Sequence, residues 1–236
     1  MINLIGKSIK IFEELNSTNS FVKMNVSNLD SGSIIVARKQ TEGRGRRDNK
    51  WVSEEGNLYF SVLLKTDIYR DRIFRHIVQS SVSIIKTLNH FNIQAQIKYP
   101  NDCLVEGKKI SGVLIESLGS SKLDFVIIGI GININQINFN DLKDKATSIK
   151  KLIKSNVEVE SVLKVFINEY NELLKRNYEE IFGEYLKHSV VINKHIIYKD
   201  EEYKIINVEQ DGTIIIRNKL IEQRVAYSEI SLKEFY

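Results

Sequence analysis

A chain of 236 residues, 42% apolar and 27% charged, can build one large domain or one domain with a small appendage. No run of 18 apolar residues is present and the opening Met1-Ile2-Asn3-Leu4-Ile5-Gly6-Lys7 is too short for a signal peptide, which speaks against a membrane helix or a secretory leader. A single cysteine, Cys103, excludes an internal disulfide and a multi-cysteine zinc site, and four scattered histidines (His76, His90, His188, His195) lack metal-binding spacing, so no metal ligand and a reducing, cytoplasmic setting are expected.

Ser17-Thr18-Asn19 before Phe21, Val22 and Met24 reads as a helix start with a capping hydroxyl. Residues 34–37 (IIVA) read as a short buried strand. Residues 38–51 then carry six basic side chains (Arg38, Lys39, Arg44, Arg46, Arg47, Lys50) against Glu42 and Asp48, a local net of +4 that equals the net of the whole chain. The excess positive charge is expected in one loop, where Gly43 and Gly45 allow close backbone approach and the arginines offer donor forks for carboxylate or phosphate. The alternative is a solvated basic turn or a nucleic-acid patch.

Residues 57–64 (NLYFSVLL) resume as a strand, and 71–91 have helical spacing through Ile73, Phe74, Ile77, Val78, Val82, Ile85 and Leu88. Strands are predicted over 96–99, 102–105, 109–117 and 125–130, with a Glu106-Gly107 turn between the second and third. Lys98-Tyr99-Pro100-Asn101-Asp102 holds the only proline, which ends a strand and presents Asn101 and Asp102 at its tip. In the strand from Lys109, glycine at position 112 marks a possible close ligand approach, and regular alternation puts Lys109 and Ser111 on one face with Gly112 opposite. Helical patterns fill roughly 143–154 and 158–187. From Val190 the period becomes two, and Asp211-Gly212 signals a hairpin in a β unit of about 45 residues. Neither a P-loop nor a G-x-S-x-G elbow occurs, and Gly129-x-Gly131 lacks the third glycine of a dinucleotide fingerprint.

In chain order the blocks are Ser17-Thr18-Asn19, Gln40-x-x-Gly43-Arg44-Gly45-Arg46-Arg47 with Lys50-Trp51, and Asn57-Leu58-Tyr59. They continue with Lys98-x-Pro100-Asn101-Asp102, Lys109-x-x-Gly112-x-Leu114-x-Glu116 and Gly129-x-Gly131-x-Asn133. Together they resemble the biotin–protein ligases over roughly residues 15–135. The resemblance implies an α+β fold: a central mixed β-sheet with flanking helices over 1–188, and a small C-terminal SH3-like β-barrel over 189–236. It implies an enzyme that forms biotinyl-5′-AMP from biotin and ATP with Mg2+, then transfers biotin to a lysine of a biotin carboxyl carrier protein. The implied biotin-binding residues are Ser17, Thr18, Asn19, Gln40, Gly43, Arg44, Gly45, Arg46, Lys109, Gly112 and Gly129. The implied ATP and adenylate residues are Arg44, Arg46, Arg47, Lys50, Trp51, Asn101, Lys109 and Asn133, with Lys109 and Arg46 catalytic. A homodimer is implied; no membrane partner and no DNA are expected, since only 16 residues precede Ser17 and a helix-turn-helix repressor domain needs more. Tyr99 stands where relatives often have tryptophan, Asp48-Asn49 where the loop often has glycine and a basic residue, and Lys233 where some have arginine. Two rival readings are a lipoate–protein ligase of similar fold and a non-catalytic nucleic-acid-binding module.

Overall fold

The computed structural model describes residues 4–47, 49–69, 72–119, 122–227 and 229. Asp48, Asp71 and the Ser231-Leu232-Lys233 segment lie outside the described residues. Among the described residues, eleven strands and five α-helices form two sheets with helices against the larger one.

The larger sheet takes β1 (Ile9–Leu15), β2 (Ile34–Gln40), β3 (Leu58–Tyr69), β4 (Gln96–Lys98), β5 (Asp102–Val105), β6 (Lys108–Gly119) and β7 (Lys122–Ile132), in the order β1-β2-β3-β7-β6-β5-β4. Among the described residues β1–β2 is the one parallel strand pair of this sheet, so the sheet is mixed. β1 has no counterpart in the sequence reading. It is an edge strand whose Ile9 and Ile11 are exposed, so little of the usual burial alternation marks it.

Period-two alternation sorts the central strands between two cores. Ile34, Val36, Val62, Ile128 and Ile130 face the main core, beneath α2 (Phe74–Asn89), α4 (Val159–Leu173) and α5 (Tyr178–His188). Ile35, Leu63 and Ile127 face the other way and are covered by Val22 of α1 (Thr18–Met24). The long helical pattern expected over 158–187 divides at 174–177, where Asn177 caps α5 through its side-chain oxygen. The pattern over 143–154 yields only the short α3 (Ile149–Ile153), capped by Ser148.

β8 (His195–Tyr198), β9 (Glu201–Val208), β10 (Ile214–Arg217) and β11 (Glu222–Val225) form an antiparallel meander, the small β unit expected. Its apolar face joins the main core through Tyr203, Ile205, Val208, Ile214 and Ile216. The Asp211-Gly212 turn rests on α2, because a Cβ at Gly212 would lie 2.5 Å from the Phe74 ring. Tyr99 donates to the Gly212 carbonyl and Tyr178 to that of Gln210. Tyr99 therefore ties the large sheet to the small one.

Candidate active site

The site lies on the α1 side of the large sheet, just beyond the reach of α1. Paired residues of an antiparallel sheet share a face. The pairs Ser61–Gly129, Leu114–Gly129, Tyr59–Gly131, Gly112–Gly131 and Glu116–Ile127 place Ser61, Gly112, Leu114, Glu116, Gly129 and Gly131 on the α1 face. Where the glycines replace the apolar side chains that α1 covers, the floor drops and a cavity of about 430 Å³ opens. The closeness is steric: a Cβ at Gly129 would lie 2.3 Å from Asn19 Oδ1, and one at Gly131 2.6 Å from the Trp51 ring.

One end of the cavity is polar and buried. Ser17 caps α1 by accepting from the Ser20 N–H, which leaves its own hydroxyl hydrogen available. Ser17, Thr18 and Asn19 are all nearly inaccessible to solvent. Gln40, at the end of β2, accepts from the Thr18 N–H at 2.9 Å and donates to Ser53 Oγ at 2.9 Å. Ser61 Oγ contacts Thr18 Oγ1 at 2.7 Å and Asn19 Oδ1 at 2.5 Å, and Asn19 Nδ2 donates to Glu116 at 2.7 Å.

The other end is cationic. The loop after β2 folds back on itself: Gly45 N–H donates to Asn49 O, Trp51 N–H donates to Gly43 O, and Arg44 bridges Lys50. Arg46 reaches inward, donating to Asn101 Oδ1 at 3.1 Å and to the Tyr227 carbonyl at 3.3 Å. Burial, and then the neighbouring Arg47 charge, pull the Arg46 guanidinium down from its usual pKa. Two anionic ligand groups would relieve both penalties. Asn101 is held in turn by donating to the Val113 carbonyl.

Lys109 pairs with Asp102 at 2.7 Å and lies over the Trp51 ring at 4.8 Å from its centroid. Regular alternation put Gly112 on the face opposite Lys109; the structure corrects this. β6 carries a bulge: Cys103 pairs Ser111, the next residue Leu104 pairs Lys109, and Ile110 is the extra residue, turned into the core. Lys109 is thereby brought to the Gly112 side, its Cε 3.0 Å from where a Gly112 Cβ would sit.

The charge of the 38–51 segment is also less concentrated than expected. Arg38 and Lys39 belong to β2 and pair at the surface with Glu13, Glu160 and Glu14. Even so, among the described residues Arg44, Arg46, Arg47, Lys50, Lys98, Lys109 and Lys145 line the cavity against one acid, Asp102.

Of the residues expected at the site, Ser17, Thr18, Asn19, Gln40, Arg44, Gly45, Arg46, Arg47, Lys50, Trp51, Asn101, Lys109, Gly112 and Gly129 all line this cavity. Gly43 lines a second cavity on the outer side of the loop, bounded also by Glu116, Ile73, Ile77 and Tyr227. Asn133 lines neither; its amide donates to the Thr147 carbonyl and braces the segment that receives the Lys109 N–H at Lys145 O. Sequence reasoning did not single out Ser61, Ser53, Asp102 or Lys145 as site residues. Asp102 stood in a recognised motif, whereas Ser61 and Lys145 carry no signal of their own. Cys103 is fully buried, and burial pushes its thiol well up, so it is no nucleophile.

Residues 11–133, just over half of the chain, match the model of the Biotin/lipoate A/B protein ligase family. The chain is 32% identical over 189 residues to the bifunctional ligase/repressor BirA of Bacillus subtilis, covering 75% of this chain and 58% of that protein. It is 35% identical over 127 residues to the chloroplastic biotin–protein ligase 1 of Arabidopsis thaliana, 51% of this chain and 35% of that one. It spans about half the length of the curated relatives it matches. The structure superposes with a TM-score of 0.82 on the Aquifex aeolicus biotin protein ligase solved with biotin and ATP, at 28% identity, covering 96% of this chain and 98% of that one. The chain belongs to the biotin/lipoate A/B protein ligase family.

Proposed function

We propose that this protein is an ATP-dependent biotin–protein ligase that makes biotinyl-5′-AMP and then biotinylates a lysine of a biotin carboxyl carrier protein. The observation that carries the reading is one cavity with a buried polar end and a cationic end. In the first step a carboxylate oxygen of biotin attacks the α-phosphorus of ATP, a P–O bond forms, and pyrophosphate leaves. Two anions must meet, and Lys109 and Arg46 offset their repulsion. In the second step the neutral lysine amine of the carrier attacks the acyl carbon, an amide forms, and AMP leaves. The adenylate is prone to hydrolysis, so the loop over residues 43–51 serves to keep water out.

Magnesium fits this site only as a companion of the nucleotide. Among the described residues no group of three or more His, Cys, Asp or Glu could hold a metal ion, and Asp102 is the one acid lining the cavity. Asp102 and the phosphates themselves would hold it, as is usual for Mg2+ at nucleotide sites, and it would neutralise the leaving pyrophosphate.

The polar end supports a cyclic urea. The Asn19 amide is oriented by Glu116, since a carboxylate only accepts, so its Oδ1 must face Ser61. Ser61 then gives its hydrogen to Asn19, and the Thr18 hydrogen fills the Thr18–Ser61 contact. Gln40 Oε1 accepts from the Thr18 N–H and lies 3.2 Å from Thr18 Oγ1, whose hydrogen is turned to Ser61, so one lone pair stays open in the cavity that the Ser17 hydroxyl also lines. A ureido group supplies an N–H for the first and a carbonyl for the second. The dithiolane ring of lipoate supplies neither, and each buried polar group left unpaired costs about 1–3 kcal/mol.

The cations converge on a cavity rather than spreading over a face, which favours a small anionic ligand over DNA. A division at residues 188 and 189 into ligase and C-terminal β units, and a cytoplasmic setting where ATP is at hand, belong to the same reading. Among the described residues no helix is long and apolar enough to cross a membrane. The test is exchange of labelled pyrophosphate into ATP with no acceptor present: biotin should support it and lipoate should support it far less. Exchange driven by lipoate alone would reassign the substrate, and no exchange with either would remove the ligase assignment.

A further inference from the structure

One carboxylate joins the two ends of the site. Glu116, on the α1 face of β6, accepts from Asn19 Nδ2 at 2.7 Å and from Arg44 at 3.1 and 3.3 Å. Its side chain is 22% exposed, so the pair with Arg44 is partly shielded from water. Asn19 belongs to the polar end, and Arg44 belongs to the loop. Arg44 also donates to Ser20 Oγ, so the loop is pinned to the first turn of α1 and to β6 at once. Asn19 is almost fully buried and its two amide atoms have opposite demands: Nδ2 meets the carboxylate, Oδ1 meets Ser61. A buried amide that faces a carboxylate on one side cannot turn over without setting oxygen against oxygen. That orientation propagates to Ser61 and Thr18, and so decides whether Gln40 offers its open lone pair. Glu116 is therefore linked by four successive contacts, through Asn19, Ser61 and Thr18, to Gln40.

We propose that Glu116 is a positioning residue that both latches the basic loop through Arg44 and fixes the donor–acceptor polarity of the head-group pocket through Asn19. The pocket half rests on the biotin reading above; the latch half does not. Binding at the polar end would hold Asn19 and Glu116 in place, and so favour the loop in its closed position over the nucleotide. Alternation puts Glu116 on the face of Gly112 and Leu114, but the sequence pattern does not show that Asn19 and Arg44 meet there.

The experiment uses the full chain as wild type, Glu116→Gln, Arg44→Gln and the double variant. Trypsin cleavage after Arg46 and Arg47 is followed by mass spectrometry, and biotin affinity by calorimetry without ATP. Without ligand, each single variant should be cut about tenfold faster than wild type, and the double variant no faster than the faster single, because both remove one shared contact. Glu116→Gln should also weaken biotin binding about tenfold. Wild-type cleavage rates, or single effects that multiply in the double variant, would overturn the latch. Faster cleavage with unchanged biotin affinity would overturn the pocket half. If Glu116→Gln does not fold by circular dichroism, the cleavage rate of Arg44→Gln, a half-exposed loop residue, decides the latch. If wild type binds no biotin, the functional reading fails while the ligand-free cleavage rates still decide the latch.

Discussion

Lys109 and its neighbour Lys108 differ by one position and by everything that matters to the chemistry. Lys109 Nζ is held at 2.7 Å by Asp102 and lies over the Trp51 ring, within the cavity. Lys108 lines neither cavity. A charge already fixed where two anions must approach costs no reorganisation when they react. Lys109→Ala should therefore lose on the order of 10²–10³ in the rate of adenylate formation, the typical effect of removing one preorganised donor. Lys108→Ala should leave that rate close to wild type. Single-turnover measurement of biotinyl-AMP reads both, and the reverse ranking would mean that the β6 bulge is misplaced. At this scale the sequence was informative about which residues meet but not about how. The motif blocks named most of the cavity-lining groups, because glycines and charged residues that interrupt an apolar strand pattern stand out in the sequence. The bulge at Ile110 was invisible, because an apolar strand with one extra inward residue still reads as an apolar strand. Ser61 was equally silent: a serine in NLYFSVLL looks like a small core residue until Thr18 and Asn19 are seen above it.

Among the helices, α2 shows how an element can support the site without touching its chemistry. Its apolar face meets the sheet, and its first residue, Phe74, carries the C-terminal hairpin at Gly212. One turn in, His76 has both ring nitrogens buried with no hydrogen-bond partner among the described residues. Burial first, and the Arg75 charge second, push its pKa from 6.5 down to about 4. The folded protein then binds fewer protons than the unfolded chain below pH 6.5. The stability tied to a neutral His76 is present above pH 6.5 and is lost as pH falls from there toward 4. Between pH 7 and 5 this amounts to about 2 kcal/mol. Urea unfolding at the two pH values should show that loss in wild type and little of it in His76→Gln; equal pH dependence in both would locate the effect elsewhere. The helix itself was plain from its spacing, since seven apolar positions repeat on one face. The break between α4 and α5 was not, because residues 174–177 carry no glycine or proline and the apolar pattern runs on across them.

Across the whole molecule, the cavity depends on parts far apart in the chain. Arg46 of the loop donates to the Tyr227 carbonyl beyond β11, Tyr99 reaches the hairpin at Gly212, and the core continues from the large sheet into the small one. The C-terminal segment thus braces the site through Arg46 and bounds the second cavity at Tyr227, which period-two patterning alone could not reveal. What remains open on the large sheet is its β1 edge. β1 pairs only with β2, and its Ile9 and Ile11 are 43% and 47% exposed. An unpaired strand edge offers a row of N–H and C=O groups to another chain, and exposed isoleucines on it add apolar area. Charged residues on β1 are partly neutralised within the chain, since Glu13 and Glu14 pair with Arg38 and Lys39, so they do little to repel a second copy. The far edge, β4, has only three residues and meets Ser189, which leaves β1 as the more open template. We propose that the protein forms a homodimer, or one promoted by the adenylate, through this edge. Sedimentation at tens of micromolar should show a dimer, at least once biotin and Mg-ATP are present, and Ile11→Lys should shift it to monomer without loss of adenylate formation. Only monomer in wild type, with and without ligands, would remove the dimer; a dimer untouched by Ile11→Lys would move the interface to another face.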